Sequence, residues 1–229
     1  MTGRIYHSMV KSRLNAETDN GLGGKHFGGD WITPHEKAKV PSEAQLSNFL
    51  AYEKGFPLPR DAFLEALYVH DEASFARTDD LFKAGPFMGV KGKLAAVLSG
   101  MDLGEGGLVP IPIYEADRRT ERAGPFYVLN FGARKDTLIG EQSAKVEFQG
   151  RKPDTGEEFW TVKFGVSDGD LAVRASAAAG ADLWFDPKLW KTFFVSERFA
   201  DALRTAGVEV DFELSECRTV GEGRDEVTA

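Results

Sequence analysis

Between Asp182 and Arg218 the apolar and polar positions change period twice. Leu183, Trp184 and Phe185, then Phe193, Phe194 and Val195, are short apolar runs bounded by Pro187 and Ser196, the pattern of buried strands. Phe199, Ala202, Leu203 and Ala206 follow at helical spacing on one face. Ser196 offers an N-cap oxygen and Glu197 a negative charge at the positive end of the dipole, while Gly207 can take the left-handed conformation that ends a helix. The spacing predicts a helix over residues 196–206. Val208, Val210, Phe212 and Leu214 then alternate with Glu209, Asp211 and Glu213, which predicts a strand with its apolar groups inward and three carboxylates outward.

An earlier stretch follows the same plan. Asp80, Leu81 and Phe82 match Asp182, Leu183 and Trp184, and Val90, Lys93, Leu94, Ala95 and Leu98 match Val195, Arg198, Phe199, Ala200 and Leu203 at an offset of 105. The first match is three residues out of step, which a three-residue loop insertion beside Pro187 would produce. The pattern predicts a weak internal duplication of a strand-helix-strand unit.

Elsewhere the chain divides into a glycine-rich segment (residues 1–40), a main body (41–220) and a polar tail (221–229). Residues 21–30, GLGGKHFGGD, have little to bury and are predicted to form an exposed loop. Pro41, Ser42 and Gln45 form a capping-box start to a helix whose apolar face, Leu46, Phe49 and Leu50, should cover a sheet before Gly55 stops it. Residues 61–70 fit either a helix or a strand. Pro110 and Pro112 confine residues 108–115 to a sheet edge, and 125–132 is a buried strand ended by glycine. Residues 145–149 and 158–164 form a hairpin around Pro153, Asp154 and Gly156, and 168–178 runs from a strand into an alanine-rich stretch. The fold class is therefore α+β, a mixed, mainly antiparallel sheet with helices on its faces.

Composition narrows the function. The net charge of −8 argues against nucleic acid or an anionic membrane as the main partner. Acidity is concentrated late: residues 205–229 hold 7 acidic and 2 basic groups, whereas residues 1–60 hold 6 and 8. A single cysteine, the lack of a secretory apolar core and the lack of a long apolar run predict a cytoplasmic protein.

Candidate chemistry is sparse. The glycines near Lys25 miss both the P-loop and the dinucleotide spacing, and His35 with Glu36 is followed by Lys39 where a second zinc ligand would stand. No cofactor or metal is expected. Cys217 lacks a catalytic-cysteine context and no GxSxG elbow occurs. Trp184, Trp190, Phe193, Phe194 and Phe199 suit a core better than a ligand box. The acidic positions Glu209, Asp211 and Glu213, with Glu216 beyond, are either a solvated strand face or a docking surface for a basic protein. An enzyme with a pocket beside the aromatic cluster, drawing on Asp168, Asp170 or His70, is the alternative; Asp168 with Asp170 and Glu157 with Glu158 also read as solvated turn carboxylates.

The segment DLWFDPKLWKTFFVSERFADALRTAGVEVDFEL resembles the C-terminal signature of a bacterial immunity-protein family of polymorphic toxin systems, the eleventh in that numbered series and formerly a domain of unknown function. The resemblance extends over residues 55–220 through Asp80 to Leu98, GLVPIPIY and PFYVLNF with Ser143 after it. It implies a small cytosolic protein that binds and neutralises a cognate toxin, without catalysis. No functional residues carry over from it by position, so the acidic docking surface comes from this chain's own pattern.

Overall fold

A computed structural model describes residues 3–16, 20–32, 41–153 and 156–221. In chain order, β1 (Ile5–Ser8) and α1 (Val10–Ala16) precede β2 (Leu22–Lys25), β3 (Trp31–Ile32) and α2 (Glu43–Glu53). β4 (Ala66–Val69) and α3 (Glu72–Phe75) lead into β5 (Leu81–Ala84), β6 (Phe87–Lys91) and α4 (Gly92–Ser99). Next come β7 (Gly107–Pro110), β8 (Ile113–Tyr114), β9 (Phe126–Asn130), β10 (Val146–Arg151), β11 (Glu158–Val162) and β12 (Ala172–Arg174). β13 (Leu183–Phe185), β14 (Phe193–Ser196), α5 (Glu197–Ala206), β15 (Leu214–Glu216) and β16 (Arg218–Val220) follow. The fold is α+β; its strand pairs are antiparallel except β4 with β8 and β12 with β16.

Two four-stranded sheets carry the duplication: β5-β6-β9-β7 and β13-β14-β1-β15, antiparallel throughout. In each, a hairpin feeds directly into a helix, and the two helices, α4 and α5, pack on one another. Leu81 faces Val90 across the first hairpin and Leu183 faces Val195 across the second, so the second loop is three residues longer, as the slipped offset predicts. The backbone closes both hairpins in the same way, with Lys91 N donating to Asp80 O and Ser196 N to Asp182 O, each at 2.9 Å. The third strands also match, because Tyr127 lies opposite Val90 and Tyr6 opposite Val195. In the second sheet that strand comes from the N-terminus of the chain. A boundary at residue 40 is therefore overturned: β1 is an inner strand of the C-terminal sheet, held on both sides.

The apolar runs at 183–185 and 193–195 lack alternation because their sheet is covered on both faces. Phe185, Phe193 and Val195 join the core shared with Leu81, Phe82, Val90 and Leu94. Trp184, Phe194 and Ile5 point into a second core with Leu138, Val173 and Cys217. Trp190 belongs to neither core and is 45% exposed, against its expected place in the aromatic cluster. The remaining aromatics of that cluster are fully buried.

The capping box of α2 forms, with Gln45 N donating to Ser42 Oγ at 3.2 Å and Ser42 N to Gln45 Oε1 at 2.9 Å. Its expected apolar face does not cover a sheet: Leu46 and Leu50 are exposed. What the helix buries lies at its end, where Glu53 pairs with Lys11 of α1 at 3.1 Å, each 1% exposed. The Lys11 ammonium sits 4.4 Å from the Tyr52 ring centroid and 5.1 Å from that of Phe185, so it plugs the seam between the two sheets. Burial pulls it down to about 8, against the opposing pull of Glu53.

Residues 22–25 are a strand rather than loop, paired with β3 and β4. Glycine is required there by close approach: a Cβ on Gly23 would lie 2.2 Å from the Tyr68 ring. Residues 66–69 resolve to a strand, and Pro110 and Tyr114 end up in edge strands of two different sheets. The hairpin at 146–162 and the strand at 172–174 form as predicted. His35, Asp154 and residues 222–229 lie outside the described residues.

Candidate acidic binding site

Helix α5 begins and ends on the residues that its pattern specifies. Phe199 N donates to Ser196 Oγ at 3.1 Å, a cap of about 1 kcal/mol, and Gly207 adopts φ 73°. Beyond it the expected strand is absent. Residues Glu209–Phe212 make a tight 3-10 turn, and Glu213 takes the left-handed conformation at φ 47° before β15 begins. The cause is Phe212, which turns inward against Phe193 and Phe199 at ring distances of 5.8 and 5.4 Å. Ser8 Oγ donates to its carbonyl and fixes it there. Val210, expected in the core, is 78% exposed.

The four acidic positions consequently do not share a strand face. Glu209 accepts from Arg204 at 2.9 Å, Glu213 pairs with Arg13 at 2.7 Å, and Glu216 lies 3.6 Å from Arg4. Such half-exposed pairs contribute roughly 0–1 kcal/mol each and exchange partners readily. Asp211 turns inward instead. It is 5% exposed, and its Oδ2 accepts no hydrogen bond among the described residues.

Asp79 and Asp80, which precede β5, act on Asp211 electrostatically. Burial, then repulsion from Asp79 and Asp80, push its carboxyl up to about 6, with Arg13 pulling the other way. Asp80 is committed to α4, whose first residue, Gly92, has no side-chain cap on the preceding Lys91; Asp80 Oδ2 accepts from Leu94 N at 3.1 Å instead. Asp79 is exposed and lines a polar cleft of about 200 Å³ with Asn20, Ser74, Arg77 and Thr78. Asp80, before β5, thus marks one junction between a hairpin and the helix it feeds. Among the described residues, no three acidic, histidine or cysteine side chains converge closely enough to hold a metal ion.

The matching junction in the other half is closed. There Asp182, 4% exposed, accepts from Ser196 Oγ at 2.6 Å, from Asp102 N at 2.9 Å and from Arg198 Nη1 at 3.0 Å. Asp102 belongs to the linker after α4, as Asp211 belongs to the linker after α5. Arg198 also reaches back to the Gly100 carbonyl at 2.5 Å.

The groups of the catalytic alternative are not assembled. Asp168 accepts from Glu216 N at 2.7 Å and Asp170 from Ser167 N at 2.8 Å, both as loop-closing acceptors, while His70 follows β4 in a different sheet. Glu157 pairs with Lys152 at 2.6 Å and Glu158 with Arg151 at 2.9 Å on the β10–β11 hairpin. Cys217 is buried, and burial pushes its thiol up, away from nucleophilic character. An apolar cleft of about 220 Å³ lies far along the chain from the aromatic cluster, between Gly23, Gly24, Leu64 and Pro86.

One histidine was not singled out from the sequence. His7 of β1 is 2% exposed with neither ring nitrogen hydrogen-bonded among the described residues, and burial pulls it down to about 4 while Asp168 and Asp170 oppose. No protein-family model matches the chain, and no curated protein is similar to it.

Proposed function

We propose that this protein is an immunity-type binding protein of the cytoplasm that neutralises a cognate toxin by covering it. The acidic turn after α5 makes the first contact. The observation that carries the reading is the tip of that turn: Val210 is 78% exposed between Glu209 and Asp211, on a backbone that the buried Phe212 holds in place. An exposed apolar residue next to Glu209, whose ion pair with Arg204 can exchange, is an arrangement a basic protein surface can recognise. No helix among the described residues is long and apolar enough to cross a membrane.

The test is capture from lysate of the native host with the tagged protein and with a Glu209→Lys, Glu213→Lys variant. The reading predicts one basic partner, retained at low salt, released at high salt and lost from the variant. A variant that captures the same partner equally well at low salt overturns the acidic surface as the contact.

A further inference from the structure

We propose that the exposed face of helix α2 is the contact between two copies of this chain, which associate through an antiparallel pair of α2 helices. The inference stands apart from the partner-binding reading above, which concerns the turn after α5.

Helix α2 is held at its base and bare along the rest. Of its 11 residues only Tyr52 and Glu53, in the last turn, are buried. The Tyr52 hydroxyl donates to the Leu129 carbonyl at 2.9 Å and accepts from Met88 N at 3.0 Å, and Glu53 pairs with Lys11, so that end is fixed to the body. The capping box closes the other end. Between them Leu46, 49% exposed, and Leu50, 37% exposed, lie one turn apart on one face with the exposed Ser47. The apolar faces of α4 and α5 are covered because those two helices pack on one another. In α2 the apolar stripe is left at the surface.

Charge decides the occupant. Helical spacing puts Glu43, in the first turn, and Lys54, at the C-cap, on the same face as Ser47 and Leu50. Both are exposed and neither makes an ion pair among the described residues. In an antiparallel pair related by a two-fold axis, Glu43 of each copy meets Lys54 of the other, and Leu50 of each lies over Ser47 of the other, a small residue that leaves room for it. A parallel pair would set Glu43 against Glu43 and Lys54 against Lys54. The face is therefore complementary to itself in one orientation, and with one charge of each sign it has no preference for a basic partner. Two helical turns make a contact below the about 1,200 Å² of stable interfaces, so the association is weak.

The experiment is sedimentation velocity of the full chain at low salt, from about 5 to about 500 µM, where the average mass should rise from one chain toward two. Glu43→Lys and Lys54→Glu each bring like charges together at both ends of the pair and should weaken association about tenfold. The double variant Glu43→Lys, Lys54→Glu restores opposite charges and should recover most of the loss. Recovery separates docking from damage to the helix, because both substitutions oppose the helix dipole and their fraying would add in the double variant. Leu50→Lys should leave the chain monomeric with its far-UV circular dichroism unchanged. A chain that stays monomeric at the highest concentration overturns the proposal, as does a dimer that Leu50→Lys leaves intact or a double variant that associates no better than the single ones.

Discussion

The two halves of the duplication share hairpin, helix and third strand, yet one junction is complete and the other is not. At the closed junction every polar group around Asp182 has a partner supplied by its own half or by the linker from the other. At the other junction the Asp80 side chain accepts from Leu94 N alone among the described residues, where Asp182 also has the Arg198 guanidinium. A duplicated scaffold therefore separates two uses of one position. In one copy Asp182 ties the linker after α4 to the start of α5, and in the other Asp80 makes one capping contact with Leu94 N. Buried polar groups without partners are destabilising, so the Asp211 carboxyl is where stability should respond most to a neutral substitution.

The comparison can be broken first at the seam common to both halves. Lys11→Met leaves Glu53 buried without its partner and should cost about 3–5 kcal/mol in urea unfolding. The double variant Lys11→Met, Glu53→Leu should recover most of that loss, because two well-packed apolar side chains replace a buried ion pair at little cost. If the double variant is as unstable as the single one, the pair has a role that packing cannot replace.

A smaller effect distinguishes the junctions. Asp182→Ala strips Ser196, Arg198 and the Asp102 amide of their common acceptor and should cost about 1–3 kcal/mol, whereas Asp80→Ala removes one helix-capping contact and should cost about 1 kcal/mol. Denaturation midpoints of the two variants, measured together, check the order; equal losses would mean that the junctions are equally closed. The smallest effect is a repair. Lys93→Arg places a guanidinium where the closed half has Arg198, and a stability gain of a few tenths of a kcal/mol is expected.

Much of this architecture was legible in the sequence because it rests on local rules. The helix from Ser196 to Gly207, the edge strands set by Pro110 and Pro112, the hairpin around Pro153, and the three-residue slip of the duplication all follow from caps, turns and period. What the sequence hid is non-local. Residues 5–8 carry no strand signal strong enough to show that they complete a sheet whose other members lie beyond residue 182. Alternation at 208–214 reads as a strand, but the burial of Phe212 against Phe193 and Phe199 outweighs a preference that a seven-residue pattern expresses only weakly. For that reason the four acidic positions part company: Glu209, Glu213 and Glu216 are at the surface, while Asp211 is buried.

The central claim is that Asp211 is a buried carboxyl whose Oδ2 accepts no hydrogen bond among the described residues. Its folded pKa is raised above the unfolded value of 3.8, so its penalty is absent at low pH, grows as pH rises and is complete above about pH 6. His7, pulled down to about 4, has the opposite pH dependence, costing stability as pH falls below 6.5. A difference between two proteins that both retain His7 removes that contribution. The decisive measurement is thermal unfolding of wild type and Asp211→Asn at pH 7.5 and at pH 4.5. The neutral isostere should melt about 2–4 °C above wild type at pH 7.5, and most of that gain should be gone at pH 4.5. An asparagine variant that melts below wild type at pH 7.5 would show that the Asp211 carboxylate is already satisfied within the fold and would contradict that claim.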